Sequence, residues 1–302
     1  MDYEKIRTDF EKRYGKKCES IYFVGKKLEF FSKNELSVSA CLTVGEAMAL
    51  AKRQDGKITI QTSGTDDMVS FSASMLEENR KNALASILIK AGEFGIKTEG
   101  ADIFIFKNTG ITNLFKPLVT GGLSAFCHNV PQKERLIPLF PDYNENTKTL
   151  WGRKGCFLIF DGQKTKYRAF FGGKCKVVLI CCDDGKSLKT QPEMPSVNEG
   201  IDALKKGDAE AFGRILNRDA LRFLKSQKEC RAHRIYSAVT SAGDALGSGL
   251  MDDGNVFSLV ENSKIDIFIH NTESIFRKQF GGDLSFYVTD FADSGVFIKS
   301  DN

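Results

Sequence analysis

Residues 20–62 constrain the fold most. SIYFVGKKLEFFSKNELSVSACLTVGEAMALAKRQDGKITIQT alternates and is rich in β-formers, the pattern of half-buried strands. Asp55-Gly56, between AMALAKRQ and KITIQT, predicts a hairpin turn. Ahead of this stretch, Tyr3, Ile6, Phe10 and Tyr14 fall at helical spacing, with Gly15 as the natural stop. A sheet entered from a short helix therefore organises the first part of the chain.

Beyond it, Leu84, Ile87, Leu88 and Ala91 share one face of a helix over about 79–92, followed by the strand-like ADIFIF. The stretch from 107 to 149 reads as loop-rich. WGRKGCFLIFDG and KTKYRAFF read as two strands, and KVVLICC as a buried one. Ser196 to Glu199 has the capping-box form, opening a helix that stops near Gly207. Asp208 caps the next helix, whose Phe212, Ile215, Leu216, Phe223 and Leu224 make a core stripe. A helix at 229–245, strands at VFSLV and LSFYVTD, a helix at 263–279 and a strand at VFIKS complete the series. The glycine pairs at 121–122, 172–173 and 281–282 are expected to be turns. Strands mixed with segregated helices indicate an α+β architecture. A boundary near Gly172-Gly173 predicts two domains, 1–172 and 173–302.

Composition narrows the function classes. The 302 residues are 41% hydrophobic and 27% charged, with 24 Phe, which predicts globular cores filled largely by aromatics. A net charge of +4 does not by itself indicate nucleic acid, and no nucleic-acid motif accompanies Arg214, Arg218, Arg222 and Lys225. These four are expected to line a solvated helix face. No apolar run approaches the roughly 18 residues of a membrane span. The charged opening MDYEKIRTDFEKRYG is neither a secretory signal nor a transit peptide, so a cytoplasmic location is expected. Eight cysteines without a C-x-x-C pair, and three dispersed histidines, predict buried reduced thiols and no structural zinc. Asp183-Asp184-Gly185-Lys186-Ser187 fails as a phosphate loop, because position 180 is Ile where the motif needs glycine.

The order of segments resembles the galactokinase branch of the GHMP kinases. The helix ending at Tyr14-Gly15 is similar to that family's opening element. FVGKKLEFFSKNE stands where the family has its A-P-G-R and H-T-D motifs. NENTKTLWGRKGCFLIFDG resembles the segment that begins at the family's M-D-Q, with Gly152 and Gly155 in register. ALKKGDAEAFGRIL is similar to its A-L-x-x-G-D helix pair, and GSGLMDDGNVFSLV occupies the place of its glycine-rich third motif. The resemblance implies a two-domain GHMP-kinase-like fold. Its N-terminal half would be ribosomal-protein-S5-like and its C-terminal half ferredoxin-like.

Carried over by position, the resemblance implies substituted chemistry. The catalytic aspartate aligns with Glu145, and the arginine partner with Lys26 or Lys27, which lack arginine's bidentate fork. Gly110 and Thr112 are what remain of the small residues whose backbone would cradle phosphate. Pro117 falls in the second turn of any helix starting near Thr112, where an interior proline costs about 3 kcal/mol. A short or absent helix is therefore expected. The sugar-binding aspartate aligns with Glu35. Asp252-Asp253 offers either a pair for Mg²⁺ or, more simply, a hairpin turn before VFSLV. The resulting expectation is a galactokinase-like pseudoenzyme that binds a sugar, a nucleotide remnant or a protein partner. The alternatives are an active sugar kinase using Mg-ATP, or an unrelated α+β binding protein.

Overall fold

The computed structural model describes residues 1–79, 81, 83–93, 100–107, 115–128, 150–162, 164–182, 188, 192 and 194–299. The N-terminal periodicity folds as α1 (Tyr3–Tyr14), which buries Ile6 and Phe10. The Asp2 carboxylate accepts the Lys5 N–H at 3.0 Å, and Gly15 ends the helix at φ +66°. The first strands are β1 (Ser20–Lys33), β2 (Leu36–Lys52), β3 (Lys57–Thr62), β4 (Met68–Ser72) and β5 (Ala101–Phe106). Then come β6 (Cys156–Asp161), β7 (Thr165–Ala169), β8 (Cys175–Cys181), β9 (Ala245–Leu250), β10 (Val256–Glu261), β11 (Ser285–Thr289) and β12 (Val296–Lys299). The helices after α1 are α2 (Ala83–Glu93), α3 (Phe115–His128), α4 (Val197–Lys206), α5 (Ala209–Ser226), α6 (Arg231–Ala242) and α7 (Ile265–Phe280).

The described residues divide into two units. One comprises Met1–Lys27, Cys41–Gly152 and Asp293–Asn302, and the other Leu28–Ala40 and Arg153–Ala292. β1 and β2 each run from one unit into the other. Among the described residues two sheets are formed, an α+β arrangement. The larger has the order β12-β1-β2-β5-β3-β4, with β6 paired to β2 and β7 to β6, and the smaller has the order β11-β8-β10-β9.

In the first unit the hairpin expected at Asp55-Gly56 is not formed. The turn is present, with Gly56 at φ +68°, but β5 lies between the two strands it joins. Ile103 of β5 stands opposite Leu50 of β2 in antiparallel register and opposite Ile60 of β3 in parallel register. Residues 101–105 of ADIFIF are all buried, so this strand belongs at the sheet centre. Local turn chemistry bends the chain there; burial decides which strand becomes the neighbour.

Two further expectations fail around α3. The helix occupies part of the stretch read as loop, and Pro117 stands in its first turn. N–H groups in a first turn have no intrahelical acceptor, so proline removes nothing there. Gly121-Gly122 is not a turn but the contact face of this helix. A Cβ on Gly121 would lie 2.4 Å from Tyr22 Oη, and one on Gly122 2.1 Å from Met48 Cε. Leu118, Val119 and Leu123 of α3, with Ala85 and Leu88 of α2, close the core over Tyr22, Met48, Leu50, Ile58 and Ile103.

In the second unit KVVLICC forms β8, hydrogen-bonded to β10 on one side and β11 on the other. Helix α5 lies directly on β9: a Cβ on Gly213 would meet Leu246 O at 2.0 Å, and one on Gly247 would meet Gly213 Cα at 2.3 Å. Asn217 Oδ1 accepts the Ser248 N–H at 2.8 Å, tying helix to strand. The aromatic core is real. Phe157 packs edge-on or tilted against Phe30, Phe170, Phe171, Phe212 and Phe291, with centroids 5.0–5.6 Å apart. Asp208 caps α5 as expected, accepting the Ala211 N–H at 2.8 Å. The capping box expected at Ser196 does not form. That hydroxyl donates to Asp219 at 2.8 Å, and Glu199 binds Arg218 instead. Donating to a buried carboxylate is a charge-assisted bond, stronger than the neutral one in which the serine oxygen would accept a helix N–H, and it captures the serine.

Candidate functional site

The segment bearing Lys26 is held by a knot of close backbone contacts within the first unit. A Cβ on Gly25 would lie 2.5 Å from Leu42 O, and one on Gly45 would lie 2.2 Å from Val24 O. Both positions therefore require glycine for β1 and β2 to approach as they do. Gly152 is equally tight, 2.4 Å from Cys41 Cβ by the same measure. Ser294, fully buried, joins these pieces. Its hydroxyl accepts the Gly25 N–H at 3.0 Å, and its own N–H donates to Gly152 O at 3.2 Å. The backbone just before Lys26 is thus fixed from three distant parts of the chain. Lys26 and Lys27 are both half-buried and both engaged by neighbours.

Gly110, Thr112 and Glu145 lie outside the described residues, as does the segment Asp183–Ser187. Around Gly110 and Thr112 the framework is a buried strand, β5, and a following helix, α3. Five positions after Glu145, Leu150 is buried in the first unit's core. Glu35 lies in the second unit, exposed in the two-residue turn between β1 and β2, beside Asn34 at φ +54°. It overlies the β6–β7 turn, where a Cβ on Gly162 would meet its carboxylate at 2.2 Å. Lys26 and Glu35 therefore sit in different units.

The third-motif segment is a β-hairpin closed upon itself, as the turn reading expected. β9 and β10 pair antiparallel across residues 251–255. Met251 N–H donates to Asn255 O and Gly254 N–H to Met251 O, each at 2.9 Å. Asn255 N–H donates to the Asp253 carboxylate at 2.9 Å, and Gly254 takes φ +81°. Arg231 then donates to Asp253 O at 2.7 Å and to Cys182 O, fastening the turn to the end of β8. Cys182 N–H in turn reaches Asn255 Oδ1 at 3.3 Å. Among the described residues, no group of three or more His, Cys, Asp or Glu side chains is placed to hold a metal ion.

Sequence reasoning missed Ser294, whose partner Gly25 is 269 positions away and which no local pattern marks. It also missed Asp219, an acid on the buried face of α5, which only its departure from the apolar stripe signals.

The backbone arrangement has known counterparts. The galactokinase of Lactococcus lactis, solved with galactose, superposes with a TM-score of 0.80 at 13% identity, covering 97% of this chain and 98% of that one. The mevalonate kinase of Methanococcus jannaschii gives 0.63 at 14% identity, over 90% and 98%. The fold is that of the GHMP kinases. In sequence, 126 residues are 27% identical to the galactokinase of Fusobacterium nucleatum, 38% of this chain and about a third (32%) of that protein's length. Within the GHMP fold the chain is thus galactokinase-like and strongly diverged. No family model matches it. Among the described residues, no helix is long and apolar enough to cross a membrane.

Proposed function

We propose that this chain is a cytoplasmic galactokinase-like protein that binds a sugar, a nucleotide remnant or a protein partner without efficient phosphoryl transfer. The observation that carries this reading is the closed third-motif turn. The N–H groups of Met251, Gly254 and Asn255 are all consumed within it, whereas a glycine-rich loop would turn such donors toward phosphate. Asp252 and Asp253 add negative charge at the same place. One carboxylate 4 Å from a phosphate charge costs about 1 kcal/mol in water and about 4 at an effective dielectric of 20. These residues do not fit the phosphates of Mg-ATP. Lysine at 26 and glutamate at 145 act in the same direction, since neither reproduces the geometry of the group it replaces. In this reading the N-terminal half is ribosomal-protein-S5-like and the C-terminal half ferredoxin-like.

One observation favours a second reading, an active sugar 1-kinase of the galactose or N-acetylgalactosamine class. Pro117 stands in the first turn of α3, where it removes no intrahelical bond, so it does not count against a helix that follows Gly110 and Thr112 in the chain. Glu145 would then be the base and Lys26 the stabilising cation.

Thermal unfolding with Mg-ATP, galactose, N-acetylgalactosamine and their mixtures, followed by an ADP-release assay, separates the two. A ligand at 100 times its dissociation constant adds about 2.7 kcal/mol. The first reading expects stabilisation by sugar or nucleotide without ADP release. Sugar-dependent ADP release that disappears in Glu145→Gln would overturn it.

A further inference from the structure

The second unit carries a groove between α5 and α6 with a cavity volume of about 750 Å³. On α5 its lining runs from Arg214 through Arg218 and Leu221 to Lys225, on α6 from His233 through Tyr236 to Thr240. Arg214 to Lys225 is three helical turns, about 16 Å at 1.5 Å per residue. The groove is thus an elongated trough between two helices, with the dimensions of a third helix laid across them.

Its floor is apolar because its polar atoms are already used. Tyr236 Oη donates to Asn217 O at 3.0 Å, leaving the ring to line the trough. His233 bonds Leu224 O through Nε2 at 2.9 Å and Cys230 through Nδ1 at 3.3 Å. Thr240 Oγ1 donates to Tyr236 O at 2.9 Å. Leu221, 46% exposed, stands at the centre of the α5 wall. A sugar or nucleotide would find few free hydrogen-bonding groups on such a floor.

The rim is cationic. Arg214, Arg218 and Lys225 line it along α5, and Arg222 is exposed on the same helix. Arg218 is fixed in place by Glu199 at 2.9 and 3.0 Å, and Arg214 meets the exposed Glu210 at 3.5 Å. A nucleic acid would set its phosphates against Leu221, and a membrane surface would call for a convex apolar face in place of a trough.

We propose that the α5–α6 groove docks an acidic amphipathic helix of a partner protein, its apolar stripe on Leu221 and Tyr236 and its carboxylates on Arg214 and Lys225. No candidate-site residue takes part, so the proposal stands apart from the question of phosphoryl transfer.

The test is fluorescence anisotropy with a labelled synthetic helix of about 14 residues (about four turns), Leu on one face and Glu on the others. Saturable binding is expected, weakening as salt shortens the reach of the rim charges. The Arg214→Glu, Lys225→Glu double variant should lose about tenfold or more in affinity and regain it with a peptide bearing Lys in place of Glu. Leu221→Asp, at an exposed position, should abolish binding while circular dichroism stays unchanged. Equal binding of a scrambled peptide, no saturable binding, or unaltered affinity in Leu221→Asp would each overturn the proposal. Leu221-dependent sedimentation with phosphatidylserine vesicles would overturn it in favour of a lipid surface.

Discussion

The fully buried Asp219 of α5 receives two hydrogen bonds from one residue, the N–H and the hydroxyl of Ser196, both at 2.8 Å. Arg218 donates to the same hydroxyl at 2.6 Å and holds Glu199 on its other side. The start of α4 is thereby pinned to the middle of α5.

Asp219→Ala is expected to cost about 2–4 kcal/mol, because it removes the charged acceptor of both Ser196 bonds and leaves the half-buried Ser196 N–H without it. Ser196→Ala keeps the N–H bond and removes the two hydroxyl bonds, to Asp219 and from Arg218, and should cost about 1–2 kcal/mol. The double variant should be less destabilised than the sum, since the two share one interaction. Urea unfolding of all four proteins measures this.

Tyr22 is fully buried, and its hydroxyl has no hydrogen-bond partner among the described residues. Burial pushes its ionisation upward, so the group stays a neutral, unsatisfied donor. Tyr22→Phe should therefore raise stability by about 1 kcal/mol. Gly121→Ala gains about 1 kcal/mol in helix propensity, yet must lose about 1–3 kcal/mol by driving a methyl into the Tyr22 ring. Placing Gly121→Ala in the Tyr22→Phe background should recover part of that loss, read as a rise in Tm.

Asp102 binds Lys16 at 2.7 Å and Arg53 at 2.8 Å, and accepts the Thr59 hydroxyl. Burial pushes its carboxyl up, but the bonds from Lys16, Thr59 and Arg53 together hold it below the ordinary value. A depressed carboxyl contributes stability that is present above about pH 4, the unfolded value, and is lost as pH falls through the folded one. Tm should drop on acidification below about pH 4. Asp102→Asn should be less stable at pH 7, with the gap to wild type closing as pH falls. A gap independent of pH would remove the ionic account.

Phe157→Ala should cost about 3–5 kcal/mol, as it opens a cavity that five neighbouring rings cannot close without leaving their contacts. Phe157→Leu, which preserves most of the volume, should cost less than half as much. Denaturant midpoints at constant m report both.

Where an element depends on its own residues, it was legible in the sequence. Gly15 ends α1, Asp208 opens α5, and the stripe Phe212, Leu216, Phe223 and Leu224 faces inward. Where a feature depends on a remote neighbour, local signals misled. Asp55-Gly56 has hairpin chemistry, yet β5 occupies the place beside β3. Gly121-Gly122 has turn chemistry, yet the pair marks the closest approach of α3 to Tyr22. Of the candidate site, the sequence supplied Lys26 and the third-motif turn; it gave no sign that Ser294 secures the backbone ahead of Lys26.

The sequence alone determined the alternation of 20–62, the helix ends, the phenylalanine-rich core and the substitution of charged groups at the positions resembling galactokinase. These follow from steric preference and from transfer of side chains out of water, which each residue carries with it. Only the tertiary structure decided which strand pairs with which, where Pro117 falls in its helix, whether Ser196 caps α4 or binds Asp219, and that the turn at Met251–Asn255 spends its donors on itself. Each of these is a competition between partners far apart in the chain. Its outcome depends on distances that no segment holds until the whole has packed.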